Sequence, residues 1–165
     1  MDIALDACTI INLLNGKVLK KVTAIPAVRF FVGDTLLEQE ILNNAQNILL
    51  ETLLSTGTIQ TLESSVTIHE FLSLKKKYEL GDGETETIAL CKNHNCHFAS
   101  DDKRARKCGS IELGEDKVIG TLFLLRLAVQ HSILTADGAV ETIKIMKEKG
   151  GFLPEVDKSY FLITK

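Results

Sequence analysis

The stretch MDIALDACTIINLL (residues 1–14) places an acid between two differently patterned segments. Residues 3–5 are a short apolar run, typical of a buried strand, and the run ends at Asp6. Residues 9–14 then have the pattern of the start of a helix. Because a strand followed directly by a helix opens an α/β unit, this stretch predicts an α/β fold with Asp6 at the carboxyl end of its first strand.

The remainder of the chain repeats this alternation. Further strands are predicted at residues 27–32, 58–62, 96–99 and 117–119, with a terminal strand at 159–163. Helices are predicted at residues 36–54, 64–77 with Ser64 as its cap, 84–94, 103–108, 121–129 and 137–149. This alternation predicts a central, mostly parallel sheet covered on both faces, a three-layer α/β/α arrangement. The length of 165 residues, with 45% hydrophobic, fits one domain spanning residues 1–165.

Charge and hydropathy exclude several classes of protein. The net charge is −3, so any contact with nucleic acid would need a local basic patch. No apolar run approaches the roughly 20 residues of a membrane span, and the first residues lack the positive charge of a secretory signal. The four cysteines show no short spacing of a secreted scaffold, so we expect reduced thiols and a cytoplasmic location.

The segment CKNHNCHF (residues 91–98) contains residue types that bind zinc. Cys91 falls on the apolar side of the preceding helix, and strand alternation would place Cys96 and His97 on opposite faces. The segment therefore favours a packed core over a zinc site.

Acidic side chains recur where predicted strands end and helices begin. They are Asp6, the pairs Glu38 and Glu40, Glu84 and Glu86, and Asp101 with Asp102. Each could serve only as a helix cap or as a first-turn acid. Ligands of parallel sheets, however, gather at the carboxyl ends of the strands, so acids distant in sequence would converge there. Clustered carboxylates repel one another unless hard divalent cations are bound, and Mg²⁺ or Mn²⁺ suits oxygen ligands.

Five pieces of the chain together resemble the PIN-domain family, the fold of many prokaryotic toxin ribonucleases. They are LDACTIINLL (5–14), LLEQEIL (36–42), GDGETETIALC (81–91), FASDDKRARKC (98–108) and VIGTLFLLRLA (118–128). The most similar branch carries the patterns G-E-x-E-x-I-A-L-A and D-D-x-x-A-R. The resemblance implies a three-layer PIN-like fold and a metal-dependent nuclease.

The resemblance also implies roles for individual residues. The catalytic and metal-holding acids would be Asp6, Glu40, Glu84 and Asp101, with Glu38, Glu86 and Asp102 as alternative ligands in the last three places. Thr9 and Asn12 would support the metal site. The cations Lys103, Arg104, Arg106 and Lys107 would contact the RNA backbone, although a solvated helix face or a structural ion pair of Arg106 would explain them equally well.

The function implied is hydrolysis of RNA phosphodiester bonds by an endoribonuclease that uses Mg²⁺ or Mn²⁺. Its relatives are commonly toxins of toxin–antitoxin pairs, neutralised by a small antitoxin protein and commonly homodimeric. The alternative is a catalytically silent PIN module that serves as an RNA-binding or protein-interaction scaffold. A phosphatase of the haloacid-dehalogenase type is disfavoured, because the general acid of its D-x-D motif would be replaced by Cys8.

Overall fold

The computed structural model describes residues 1–35, 44–62 and 66–162. Its centre is a five-stranded sheet in the order β3-β2-β1-β4-β5, and every neighbouring pair is parallel. The strands are β1 (Asp2–Leu5), β2 (Arg29–Val32), β3 (Ile59–Thr61), β4 (His97–Ala99) and β5 (Val118–Ile119). The predicted parallel α/β sheet is thus confirmed.

Helices cover both faces of this sheet. They are α1 (Ala7–Asn15), α2 (Leu19–Val22), α3 (Asn44–Ser55), α4 (Ile68–Tyr78), α5 (Asp82–His94), α6 (Lys103–Leu113), α7 (Thr121–Gln130), α8 (Ala136–Glu148) and α9 (Lys158–Leu162), with a 3₁₀ turn at Glu115–Lys117. No helix in the described part of the chain is long and apolar enough to cross a bilayer.

Two hydrophobic cores lie on opposite faces of the sheet because successive strand side chains point to opposite sides. Ile3 and Leu5 pack into the core shared with α1, α7 and α8, whereas Ala4 packs into the core shared with α5 and α6. All three are fully buried, which explains why β1 reads as a continuous apolar run. The three-layer α/β/α fold is confirmed.

Several boundaries differ from the prediction. Strand β2 begins at Arg29 rather than at residue 27, because Ala27 has a φ of +60°, outside the extended region. Helix α6 continues past Cys108 to Leu113. Gly109 lies inside this helix and packs closely on Phe98, so that an added Cβ would be 2.8 Å from the Phe98 ring. The prediction of a terminal strand at 159–163 is wrong, because Lys158–Leu162 is a helix.

Two predicted boundaries involve residues that the structure does not describe. The first part of the helix predicted at 36–54 lies outside the described residues, and the described part begins at Asn44. Ser64 also lies outside them, and the N-cap of α4 is Thr67, which forms a capping box with Glu70.

The sheet reverses its order of growth between β1 and β4, and this reversal positions the site. The chain adds β2 and β3 on one side of β1 and then crosses to add β4 and β5 on the other. Leu5 and Ala99 are paired across the two strands, and the Asp6 amide donates to the Ala99 carbonyl at 2.9 Å. A crevice at the carboxyl ends of the strands is expected at such a switch point.

Candidate active site

Asp6 lies at the switch point as the N-cap of α1, and its side chain is only 2% exposed. One carboxylate oxygen accepts the Ala7 amide at 2.9 Å, and the other accepts the Ser100 hydroxyl at 2.7 Å. Burial, with a smaller contribution from the nearby charge of Glu84, raises the pKa of this carboxyl from 3.8 to about 6 against the opposing effect of these hydrogen bonds. The charged form of Asp6 is therefore destabilised by its own surroundings.

Glu84 faces Asp6 across a cleft of about 320 Å³. It lies in the first turn of α5, where its acid is compatible with the helix dipole, and it is half-buried. The Gly81 backbone closely approaches its carboxylate, leaving no room for a Cβ there. Thr35 and Thr87 also line the cleft. The structure thus brings the first and third predicted acids to one cavity.

Asp101 follows β4 and is tied to two other elements. Asn12 of α1 donates to one carboxylate oxygen at 2.8 Å, and the Thr121 amide at the start of α7 donates to the other at 2.8 Å. The Thr121 hydroxyl also donates to Asp101. A Cβ added at Gly120 would lie 2.7 Å from the carboxylate, so this close approach requires glycine.

Asp102 has a different role in the structure from its neighbour. It is exposed, and its carboxylate accepts the Ala105 amide at 2.7 Å as the N-cap of α6. Its own amide donates to the Ser100 hydroxyl at 3.2 Å. Between the two alternatives for the fourth acid, this geometry favours Asp101, which lies against α1 and α7, over a cap that accounts for Asp102.

The Cys8 thiol connects the Asp6 and Asp101 regions. Its sulfur donates to the Asp6 carboxylate at 3.2 Å and accepts the Asp101 amide at 3.1 Å. Burial and the adjacent Asp6 charge raise the pKa of this thiol to about 12. Cys8 is therefore a neutral hydrogen-bonding group at neutral pH and not a thiolate ligand.

Glu86, the alternative to Glu84, points to a different place. Its carboxylate accepts the Thr35 amide at 3.0 Å and lies against Gly33, where it leaves no room for a Cβ. Burial raises its pKa. Glu86 therefore joins α5 to the segment that follows β2. The cleft beside Asp6 is lined by Glu84 instead.

The supporting and basic residues are placed as follows. Thr9 is buried and donates to the Ala99 carbonyl at 3.1 Å, so it joins α1 to β4. Arg106 donates to the Ser100 and Ile119 carbonyls at 2.9 and 2.5 Å and so joins the ends of β4 and β5. Arg104 donates to the Tyr78 carbonyl and pairs with Glu79, whereas Lys103 and Lys107 are exposed.

The predicted second acid, Glu40, and its alternative Glu38 lie outside the described residues. Within residues 1–35, 44–62 and 66–162, no three His, Cys, Asp or Glu side chains are grouped closely enough to hold a metal ion. A metal site that used Asp6 and Glu84 would therefore need further donors.

Three groups at the site were not predicted as site residues, namely Ser100, Thr121 and Cys8. Ser100 directly follows β4, and Thr121 lies two residues after the end of β5, so the strand-end rule that singled out the acids would have found both hydroxyls. Cys8 follows the first strand-end acid by two residues, but nothing in the sequence indicates that its thiol bridges to Asp101.

Comparison with known proteins places this site in a family. No curated protein and no solved structure matches the chain. A family model described as a PIN domain matches residues 2–159, which is nearly the whole chain. Since that match includes all five strands and both sides of the acidic cleft, the chain belongs to the PIN-domain family.

Proposed function

We propose that this protein is a divalent-metal-dependent ribonuclease whose active site is the cleft at the carboxyl ends of β1 and β4. PIN domains are generally nucleases and typically use divalent metal ions. RNA as the substrate, Mg²⁺ or Mn²⁺ as the ion and endonucleolytic cleavage are our proposals for this chain.

The observation that carries the proposal is the pair formed by Asp6 and Glu84. A carboxylate buried to this degree and placed beside a second one is unfavourable unless a proton or a cation compensates for it. The cleft between them is large enough for a hydrated ion, at about 320 Å³. An apolar residue at this position would avoid that cost, so the presence of a buried acid here supports a function that needs its charge.

The donor set also fits a hard divalent ion. Asp6 and Glu84 offer oxygen atoms only, and the neighbouring Cys8 is a protonated thiol, so the cleft does not favour a soft metal. We propose that Asp6 and Glu84, which line the cleft, hold the metal together with Asp101, which lines the cavity next to it, and Glu40. When bound, the ion would lower the pKa of a coordinated water and stabilise the charge that develops on the phosphate.

The described residues have separate tasks in this proposal. The Ser100 hydroxyl and the Ala7 amide fix the orientation of the Asp6 carboxylate, and Asn12 and Thr121 fix that of Asp101. Lys103 and Lys107 are exposed and form no ion pair with a residue in the described ranges, so their ammonium groups could contact phosphates. Arg104 and Arg106 already bind backbone carbonyls, so their contribution to RNA binding would come from their charge.

The test is cleavage of mixed structured and unstructured RNA by the purified protein with Mg²⁺, with Mn²⁺ and with EDTA. Asp6→Asn keeps the cap geometry while removing the charge, and we expect it to abolish cleavage. Asp137→Asn is the matched control, because Asp137 is an exposed acid in the first turn of α8. Among the described residues it forms a surface ion pair with Lys158, which contributes little to stability. This variant should retain full activity.

Calorimetric titration with Mn²⁺ separates the outcomes. Metal-dependent cleavage that Asp6→Asn removes would establish the nuclease. Cleavage at the wild-type rate by Asp6→Asn would refute the site assignment. If the wild type neither cleaves RNA nor binds Mn²⁺, the protein is the silent scaffold instead.

We further propose that the nuclease is the toxin of a toxin–antitoxin pair, with a small antitoxin protein as its partner and a homodimer as its state. Expression in cells that lack the neighbouring genes should arrest growth for the wild type and not for Asp6→Asn. Sedimentation of the purified protein measures the oligomeric state directly.

A further inference from the structure

A second hollow, of about 590 Å³, adjoins the acidic cleft. The two cavities share Cys8 and Ile11 of α1 as a common wall. The size of the second hollow lies within the roughly 300–1,000 Å³ typical of small-molecule sites. A chain segment whose phosphate sits beside Asp6 can therefore continue directly into this neighbouring space.

Phe152 stands at the edge of the second hollow with 97% of its surface exposed, in the segment that follows α8. Its neighbours on both sides are anchored. A Cβ at Gly151 would lie 2.6 Å from the Asn12 side chain, the Gly151 amide donates to the Met146 carbonyl at 2.9 Å, and Leu153 is buried. The backbone thus holds the Phe152 ring in solvent beside the cavity.

Two lysines flank the same hollow. Lys103 is the first residue of α6, and Lys149 is the C-cap of α8. Both are exposed, and neither forms an ion pair with a residue that the structure describes. The two acids of this wall accept hydrogen bonds, Asp101 from Asn12 and Thr121 and Asp102 from the Ala105 amide, and neither forms a salt bridge with these lysines. The hollow therefore offers two uncommitted cations and one uncovered aromatic face.

We propose that this hollow is a subsite for single-stranded RNA, in which an unpaired base stacks on Phe152 and the adjacent phosphates contact Lys103 and Lys149. This inference rests on the proposed ribonuclease function, because it places the subsite next to the scissile phosphate. Stacking requires a base that is free of its partner, so the subsite selects single strands over duplexes. It accepts any base, because every base presents a π-face.

The test is the affinity of labelled RNA measured by fluorescence anisotropy in EDTA, with every protein carrying Asp6→Asn so that no cleavage occurs. The probes are a single strand of about a dozen nucleotides and a hairpin of the same composition. Phe152→Ala should weaken binding of the single strand by about 5- to 150-fold, the equivalent of about 1–3 kcal/mol for one stacked base. Phe152→Tyr, which keeps the ring, should bind as tightly as the parent.

Ile68→Ala is the matched control for lost apolar surface. Ile68 is 80% exposed in the first turn of α4 and lines neither cavity next to Asp6. It should not change the affinity for either probe.

The lysines are tested by salt dependence. Because single strands release about 0.7 counterion per neutralised phosphate, Lys103→Ala and Lys149→Ala should each reduce the slope of log K against log salt by about 0.7. Lys20→Ala, at an exposed position on α2, should leave the slope unchanged.

The outcomes separate this inference from the proposed function. Unchanged affinity for the single strand with Phe152→Ala, or equal losses for strand and hairpin, would overturn the subsite even if the wild type cleaves RNA. A change of oligomeric state with Phe152→Ala, without loss of RNA affinity, would overturn it as well and assign the ring to a protein contact. Loss of single-strand affinity with Phe152→Ala, together with no RNA cleavage by the protein without Asp6→Asn in Mg²⁺ or Mn²⁺, would support the subsite and reject the nuclease.

Discussion

Replacing Asp6 by Asn should make the metal-free protein more stable while it abolishes activity. The raised pKa of Asp6, from 3.8 to about 6, means that its charged form is less favourable in the folded state than in the unfolded state. At about 1.4 kcal/mol for each tenfold change in proton affinity, the difference amounts to about 3 kcal/mol at neutral pH. Asn keeps the N-cap acceptor for the Ala7 amide, so the variant removes the charge and retains the cap.

The sign of the effect gives it a pH profile. Between pH of about 4 and about 6 the folded state binds more protons at Asp6 than the unfolded state does, so wild-type stability falls across this range through this group. The advantage of Asp6→Asn should therefore grow from near zero at about pH 4 to about 2–3 kcal/mol above about pH 7. A gain of that size raises the melting temperature of a domain this large by roughly 5–10 °C.

Urea unfolding of both proteins in EDTA over that pH range measures the difference. Mn²⁺ at about a thousand times its dissociation constant should then reverse the ranking, since it adds about 4.1 kcal/mol to the wild type alone. A variant that is less stable than the wild type at neutral pH, or a stability difference that does not vary with pH, would refute the argument that burial and Glu84 oppose the Asp6 charge.

Three further predictions concern groups around the site and on the opposite face. Gly120→Ala should lower activity sharply and destabilise the fold by about 1–3 kcal/mol in urea unfolding, because the new Cβ would lie 2.7 Å from the Asp101 carboxylate. The control is Gly83→Ala, whose new Cβ would have nothing within 4 Å. It should be neutral or stabilising by up to about 1 kcal/mol. Glu112→Gln should lower the free energy of unfolding by about 1–2 kcal/mol above about pH 5, since two lysines and a tyrosine hydroxyl lower the Glu112 pKa to about 2. This loss should vanish as the pH falls toward about 2, because the native carboxyl is then protonated too. Because its pKa is raised to about 12, Cys8 should react with iodoacetamide at neutral pH about a thousandfold more slowly than an ordinary thiol. Mass spectrometry measures the alkylation, and a rate as fast as in the unfolded chain would contradict the hydrogen bonds of the Cys8 thiol.

The positions of Asp6 and Asp101 at the ends of strands could be predicted from the sequence because they depend on local pattern. Asp6 and Asp101 each follow a short apolar strand, and parallel strands present their carboxyl ends at one edge. The hydrogen bonds that orient these acids were not predictable in the same way. The contact of Asp101 with Thr121 requires that β5 lies beside β4, which is a property of strand order and not of either segment.

The terminal helix shows the limit of local pattern more directly. Residues 159–163 are rich in aromatic and aliphatic side chains, which favours a strand. Its described residues belong to the helix Lys158–Leu162, because Phe161 is buried against α7 and α8 and the Asp157 side chain accepts the Ser159 amide at the start of the helix. Tertiary packing overrides propensity in so short a run.

The two edges of the sheet are unusually brief. Strand β3 contributes three residues and β5 only two, so each edge presents very few free amides and carbonyls. Short edge strands are a common protection against the addition of a foreign strand. Two copies of this protein joined by a continuous sheet would gain a ladder of only two or three rungs. The edges of the sheet therefore offer little backbone for pairing with a second copy, so the proposed homodimer would need contacts outside the sheet edges.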